Sequence, residues 1–301
     1  MPQFAEVNYR ELGIFGAEVL GVDLGKPLSE SLTRGLAGLL LERQLLLFRN
    51  QTPSDRAFVD YARALGQLQP HSLPHFAPEG CPEILILSNR VQDGRPVGLV
   101  EVGHFWHSDG SYLPELDAWT TLQGIEIPRD NEGNPLGDTL FASAVCAYDA
   151  LPADLRQKVE GLKAVFSYDY RYQQRIKRNP TVQPARANST TKDILHPVIR
   201  PHPITGRKAI FVNEGYTTRV DGLPESEGRT VLASLLQHLY SEQFVYRHKW
   251  RTGDVLLWDN NSTQHNAVPN YGSGQHRLMK RITIKTVHPA LARPPESLQC
   301  A

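Results

Sequence analysis

Residues 105–112 read FWHSDGSY, and within them His107 and Asp109 stand two apart. On an extended strand the side chains at i and i+2 share a face, so both can aim at one point while Trp106 and Ser108 turn away. An imidazole nitrogen and a carboxylate oxygen are donors that a borderline cation such as Fe(II) accepts. The pair alone is a weak signal. In a chain with eleven histidines an H-x-D is expected by chance in about every second case. A hydrogen-bonded pair at a strand end accounts for the same residues.

A second group lies far downstream. His265 follows the β-rich stretch DVLLWDN and a polar turn, a place from which a side chain can project toward a strand distant in sequence. In RLMKRITIKT, positions Arg277, Met279, Arg281 and Thr283 alternate with Leu278, Lys280, Ile282 and Ile284, the period of a strand. Arg277 and Arg281 then sit on one face about 13 Å apart. If that face is interior, each needs an anion, because an unpaired buried guanidinium is strongly unfavourable. An edge strand with both arginines in water is the other reading.

The elements that must position these residues are mostly strands. AEVLGVDL, QLLLFRN, EILILSN, TTLQGIEIP, DTLFAS, KAVFSYDY, KAIFVNE, QFVYRHKW, DVLLWDN and RITIKTV are short, β-rich and bounded by Gly, Pro, Asn or Asp. Without regular βα alternation, they predict a sandwich or barrel with a few helices outside it. Ser54 caps one helix running to about Leu65. A second begins at Ser143 and runs through AVCAYDALPADLRQKVEGL, and Val231, Leu232, Leu235, Leu236, Leu239 and Tyr240 stripe a third. Residues 89–104 and 171–193 fit no element. The second stretch carries Arg171, Arg175, Lys177, Arg178, Arg186 and Lys192, which suits either a cationic lid over an anionic substrate or a solvated loop. Residues 1–288 read as one domain, and 289–301 as a frayed tail.

Bulk properties narrow the partners. Lys plus Arg equals Asp plus Glu at 32 each, so overall charge advertises neither nucleic acid nor an anionic membrane. Cys81, Cys146 and Cys300 are odd in number, widely spaced and without a C-x-x-C pair, which speaks against a disulfide framework and a structural zinc site. The start, MPQFAEVNYR, lacks a signal pattern, and no apolar run approaches the roughly 20 residues of a membrane helix. A soluble cytoplasmic protein is expected.

FWHSD, GDTLFAS, HPVIRPHPITGRKAIFVNEGYTTRVDGL, WDNNSTQH and RLMKRITI occur in this order. Together they resemble the taurine dioxygenase and 2,4-dichlorophenoxyacetate dioxygenase family of Fe(II)- and 2-oxoglutarate-dependent oxygenases, from GAEVLGVDL to ITIKTV. The resemblance implies a mainly β fold with flanking helices around a double-stranded β-helix, or jelly-roll, core. It implies His107, Asp109 and His265 as a two-histidine, one-carboxylate metal triad. Arg277 then looks like the partner of the distal carboxylate of 2-oxoglutarate, with Thr139 of GDT as its hydroxyl helper. Fe(II), 2-oxoglutarate and O2 are the implied cofactors, with succinate and CO2 released as a C–H bond is hydroxylated. The carboxylate of Asp109 speaks against halogenation, since halogenating relatives lack it.

By the same resemblance, Arg281 and His71 of LQPHSLP look like the binders of a substrate sulfonate or carboxylate, a task that suits a guanidinium. Gly103 stands where taurine enzymes carry a substrate-contacting asparagine, and RDNEGNPLGDT is longer than their turn. QFVYRHKWRTGDVLLWDN looks closer to the aryloxyacetate enzymes. The expectation is a dioxygenase hydroxylating, and thereby in some cases cleaving, a small anionic substrate such as a sulfonate, aryloxyalkanoate or other carboxylate. Two alternatives stay open: desaturation or another oxidative outcome in a biosynthetic pathway, and a non-catalytic jelly-roll metal-binding protein. A hydrolase is disfavoured because G-x-S-x-G and P-loop patterns are absent. Relatives of this kind suggest a homo-oligomer.

Overall fold

The computed structural model describes residues 7–100, 103–178 and 192–294. Among them the dominant element is an eight-stranded sheet. Its neighbours run Asn8–Glu11, Ala17–Leu20, Leu45–Phe48, Val255–Asp259, Trp119–Glu126, Leu278–Val287 and Gly66–Gln69, with Ile84–Ser88 also paired to Leu278–Val287. All pairings are antiparallel except Ala17–Leu20 with Leu45–Phe48. Facing it is a three-stranded antiparallel sheet ordered Val245–His248, Thr139–Ser143, Thr263–Ala267. The two sheets form the jelly-roll core.

Side-chain alternation assigns each strand two jobs. Leu45, Leu47, Leu256, Trp258, Leu122 and Met279 fill the space between the sheets with Phe141 and Trp250. Leu46, Phe48, Val255, Leu257, Ile282 and Ile284 face the other way, under the helices Glu30–Arg43 and Asp55–Leu65. Burial on both faces explains why LLLF shows no polar positions. Trp250 and Trp258 are core residues, as expected of tryptophan in a sandwich, and Trp106 is buried with its ring stacked on Tyr240 at 4.5 Å.

The Ser54 hydroxyl accepts from the Ala57 N–H and caps Asp55–Leu65, as expected. Ser143 likewise caps a helix, but that helix is Ala144–Asp149 alone, and a second, Ala153–Val159, starts after Pro152. Proline has no N–H to donate and its ring crowds the preceding turn, so one continuous helix is broken there. The third expected helix is Glu225–Leu239.

Two stretches without an expected element acquire one. Residues 91–96 form a small hairpin, Val91–Gln92 with Arg95–Pro96. Tyr168–Arg178 is a helix rather than loop, and residues 179–191 of the would-be lid lie outside the described residues. Of the C-terminal tail, Pro289–Leu291 make a 3-10 turn whose Leu291 packs into the core, and 295–301 lie outside the described residues. Among the described residues no helix is long and apolar enough to cross a membrane.

Candidate metal centre

His107 and His265 are brought together by backbone pairing. The two residues exchange both N–H···O=C bonds, at 3.0 and 2.8 Å, in an isolated antiparallel bridge, and their ring centroids lie 4.2 Å apart. This bridge extends the small sheet past Thr263–Ala267, so the distant His265 meets the H-x-D motif on one surface. Gly103, at φ 77°, lets the chain turn tightly before the motif, and a Cβ there would sit 3.2 Å from His107 Cε1. That conformation is left-handed, which glycine adopts without cost.

His107, Asp109 and His265 offer one ligand atom each, all within 4.8 Å of one another. The His107 Nδ1–H donates to the Phe105 carbonyl at 2.8 Å. A carbonyl only accepts, so the proton is on Nδ1 and the Nε2 lone pair is left for a cation. Asp109 Oδ1 lies 3.7 Å from that Nε2. Its other oxygen, Oδ2, accepts from Arg281 at 2.8 Å and from the Thr120 hydroxyl at 2.8 Å.

Protonation states suit a metal. Burial pushes the pKa of His107 and, more strongly, His265 below the ordinary histidine value, so both are neutral imidazoles. Burial raises that of Asp109, but the Arg281 guanidinium, helped by the Thr120 hydroxyl, opposes it and holds the carboxyl below the usual range. His265 Nδ1 is buried with no hydrogen-bond partner. The other buried histidines have partners, His202 with Asp259 at 2.8 Å, His248 with Asp254 at 3.1 Å and His196 with the Leu113 carbonyl at 2.9 Å. Two neutral imidazoles and a carboxylate converging without a proton between them are satisfied by a divalent cation. The residues present therefore fit a ferrous ion.

The expected binding residues divide between two cavities. One, of about 360 Å³, is lined by His107, Asp109, Arg281 and His71, with Tyr112 and Arg171. Arg171 also lies 3.6 Å over the Phe105 ring, a cation–π contact. The other, of about 460 Å³, holds Arg277 beside Asn89 and Tyr271. Leu99 and His104 line both.

Leu278–Val287 is an interior strand, paired on both sides, so the edge-strand reading of the two arginines does not hold. Arg277 is 8% exposed, and among the described residues no carboxylate lies within ion-pair distance of it. Burial lowers its pKa, and Tyr271 pulls the other way. Gly137, at φ 74°, keeps this space open, since a Cβ there would lie 3.3 Å from Arg277 Nε. Thr139 is set apart: its hydroxyl accepts from the Trp250 indole at 3.0 Å and is 3% exposed.

Sequence reasoning gives no role to Thr120, Asn260 or Tyr271. Thr120 is one of two adjacent threonines in the β-rich run WTTLQGIE, and only its hydrogen bond in the folded chain shows that it is the one facing Asp109. Nor does spacing foretell that Arg281 already holds the Asp109 carboxylate.

The chain matches the model of the family described as Taurine catabolism dioxygenase TauD, TfdA family over residues 8–283. It is 32% identical to the alpha-ketoglutarate-dependent 2,4-dichlorophenoxyacetate dioxygenase of Cupriavidus pinatubonensis, over 90% of this chain and 94% of that one. It is 29% identical to the alpha-ketoglutarate-dependent sulfate ester dioxygenase of Pseudomonas putida, over 90% and 87%. The solved structure of AAD-2 in complex with Mn(II) and N-oxalylglycine superposes with a TM-score of 0.73 at 26% identity, covering 94% of this chain and 98% of that one. With matches of this length joined to a two-histidine, one-carboxylate cluster, the chain belongs to the TauD, TfdA family.

Proposed function

We propose that this enzyme is an Fe(II)- and 2-oxoglutarate-dependent dioxygenase that hydroxylates a small organic anion. The observation that carries the proposal is the convergence of three buried donors, two of them neutral imidazoles, within 4.8 Å. The relatives' names specify alpha-ketoglutarate dependence. One solved neighbour holds Mn(II) with N-oxalylglycine, a molecule with the two carboxylates of 2-oxoglutarate. When bound, the iron supplies, with 2-oxoglutarate and O2, the conversion of a substrate C–H to C–OH as succinate and CO2 leave.

The chain's own residues bind and orient. His107, Asp109 and His265 would hold the ion, each offering one donor atom. Arg277, a buried cation without a carboxylate of its own, pairs with the distal carboxylate of 2-oxoglutarate, which removes the penalty of an uncompensated charge. Thr139, whose hydroxyl accepts from Trp250 and keeps its own proton to donate, is the helper at that carboxylate. Arg281 and His71 sit with Asp109 around the first cavity and receive the anionic group of the substrate. Tyr112 and Phe105 provide an aromatic wall that also excludes water.

The substrate class follows from that lining and from the names of the relatives: an aryloxyalkanoate, a sulfate ester, or another sulfonate or carboxylate. Hydroxylation beside a heteroatom yields a carbinol that falls apart, so cleavage accompanies oxidation in such compounds. A non-catalytic metal-binding protein has no use for a buried Arg277 that, among the described residues, has Tyr271 but no carboxylate beside it. The free Cys81 and Cys146 support the reading of a reducing, cytoplasmic setting, and family membership supports that of a homo-oligomer. One domain spanning 1–288 fits the family match over 8–283.

The test is succinate formation by purified protein with Fe(II), ascorbate, O2 and 2-oxoglutarate, across a panel of aryloxyacids, sulfate esters, sulfonates and carboxylates. Substrate-dependent succinate with at least one class is expected. No succinate with any of them, from protein shown to carry iron, overturns the proposal.

A further inference from the structure

The carboxylate of Asp109 is held by more than an ion pair. Thr120 Oγ lies 2.8 Å from Asp109 Oδ2, and Asn260 Nδ2 lies 3.0 Å from Thr120 Oγ. The Asn260 side-chain oxygen accepts in turn from the Trp258 indole N–H at 3.0 Å and from the Asp109 backbone N–H at 3.4 Å. Thr120 is fully buried, and Asn260 and Trp258 are 1% exposed. Their burial shields these groups from bulk water.

Donor and acceptor chemistry fixes the direction of every bond in this chain. Indole and backbone N–H groups only donate, so the amide oxygen of Asn260 must face them and its NH2 must face Thr120. The NH2 also only donates, so the threonine oxygen accepts there. The Thr120 proton is left with one destination, Asp109 Oδ2. With Arg281 on the same oxygen, Oδ2 is fully engaged, and Oδ1 is the oxygen turned toward His107.

We propose that Thr120 is a positioning residue of the metal centre: locked by Asn260 and Trp258, its hydroxyl fixes the Asp109 carboxylate so that one oxygen alone, Oδ1, serves the cation. The elements make this arrangement rigid. Thr120 and Trp258 are direct partners in the sheet, and Asn260 continues that strand with its N–H bonded to the Ala118 carbonyl at 3.0 Å. A carboxylate held by one oxygen in this way is pre-set for single-oxygen ligation and loses little rotamer freedom when the ion arrives. The inference rests on the reading of His107, Asp109 and His265 as metal ligands.

The test is anaerobic calorimetric titration of the full-length metal-free protein with Mn(II), comparing wild type with Thr120→Val, Thr120→Ala and Thr120→Ser. Valine keeps the shape and removes the hydroxyl, alanine does so without risk of overpacking, and serine retains the hydroxyl. Melting temperatures of the metal-free proteins report the fold separately. Mn(II) affinity is expected to fall about tenfold or more in the valine and alanine variants, and to stay within about threefold of wild type in the serine variant. Unchanged affinity in the folded valine or alanine variant overturns the proposal. So does a serine variant as weak as valine, which would assign the effect to packing of the threonine methyl. Wild-type protein that takes up no Mn(II) overturns the metal centre itself and this proposal with it.

Discussion

Asp109 divides its two oxygens between the cavity and the protein, and the neighbouring arginines divide along the same line. Arg281 is 2.8 Å from Oδ2 and lines the cavity that contains His107, so under the proposed function it would touch the metal ligand and the substrate together. Arg277 faces a separate cavity with Tyr271. Their variants should therefore differ in kind. Arg277→Ala is expected to raise the KM for 2-oxoglutarate by about 10- to 100-fold, the worth of charged hydrogen bonds, with Mn(II) affinity unchanged. Arg281→Ala is expected to raise the KM for the primary substrate and also to weaken Mn(II) binding, because Oδ2 loses its charged partner. Steady-state kinetics beside metal titration separates the two, and exchanged phenotypes would mean that the cavities are assigned the wrong way round. The pairs 107 with 109 and 277 with 281 were legible from strand alternation, whereas His265 as the third member of the cluster was legible only through the resemblance carried by the order of the motifs. Partners such as Thr120 and Asn260 were not, because their contacts with Asp109 depend on sheet register between segments up to 151 residues apart.

The strand Leu278–Val287 is the element on which both sides of the molecule depend. Its inner face presents Met279 and Arg281 to the space between the sheets, and its outer face presents Ile282 and Ile284 to the helices. Lys280 reaches outward to pair with Asp55 in the first turn of Asp55–Leu65, where a carboxylate also suits the helix dipole. That helix is closed by Ser54. Ser54→Ala should cost about 1 kcal/mol of stability, read as a lower urea midpoint, with turnover at saturating substrate unchanged. A loss of turnover without a shift in midpoint would mean that the cap acts on the site rather than on the fold. Capping serines announced this helix and Ala144–Asp149 in the sequence. The helix Glu30–Arg43 was hidden, although Ser29 caps it, because GLAGLLL carries two glycines of low helix propensity and an apolar run that suits a strand equally well. Tyr168–Arg178 was hidden by its polarity, since basic and polar residues dominate its sequence and leave little apolar stripe to read.

At the scale of the whole molecule, acidic and basic residues balance at 32 each, yet Arg171, Arg281 and Lys285 face only Asp109 and Asp117 around one cavity, a surplus of one positive charge. A local field of this kind draws a small anion without net charge on the protein. Buried histidines set the acid limit of stability. Burial holds His196 and His248 below the ordinary histidine pKa, against the opposing pull of the Leu113 carbonyl and of Asp254 respectively. Below about pH 6.5 the unfolded chain therefore binds more protons than the native one, and stability rises with pH up to that value and levels off above it. Melting temperatures should be lower near pH 5.5 than near pH 7.5, while a profile flat across that range would mean that these imidazoles titrate normally. Jelly-roll class and family were legible from strand count and motif order, whereas the division of the interior into two cavities depends on where the fold places Leu99 and His104, which line both. The most direct test of the metal centre is anomalous diffraction at the iron edge from anaerobically grown, Fe(II)-loaded crystals. A single peak within bonding reach of His107 Nε2, Asp109 Oδ1 and a His265 ring nitrogen is the expected result; a peak elsewhere, or none at full iron loading, contradicts it.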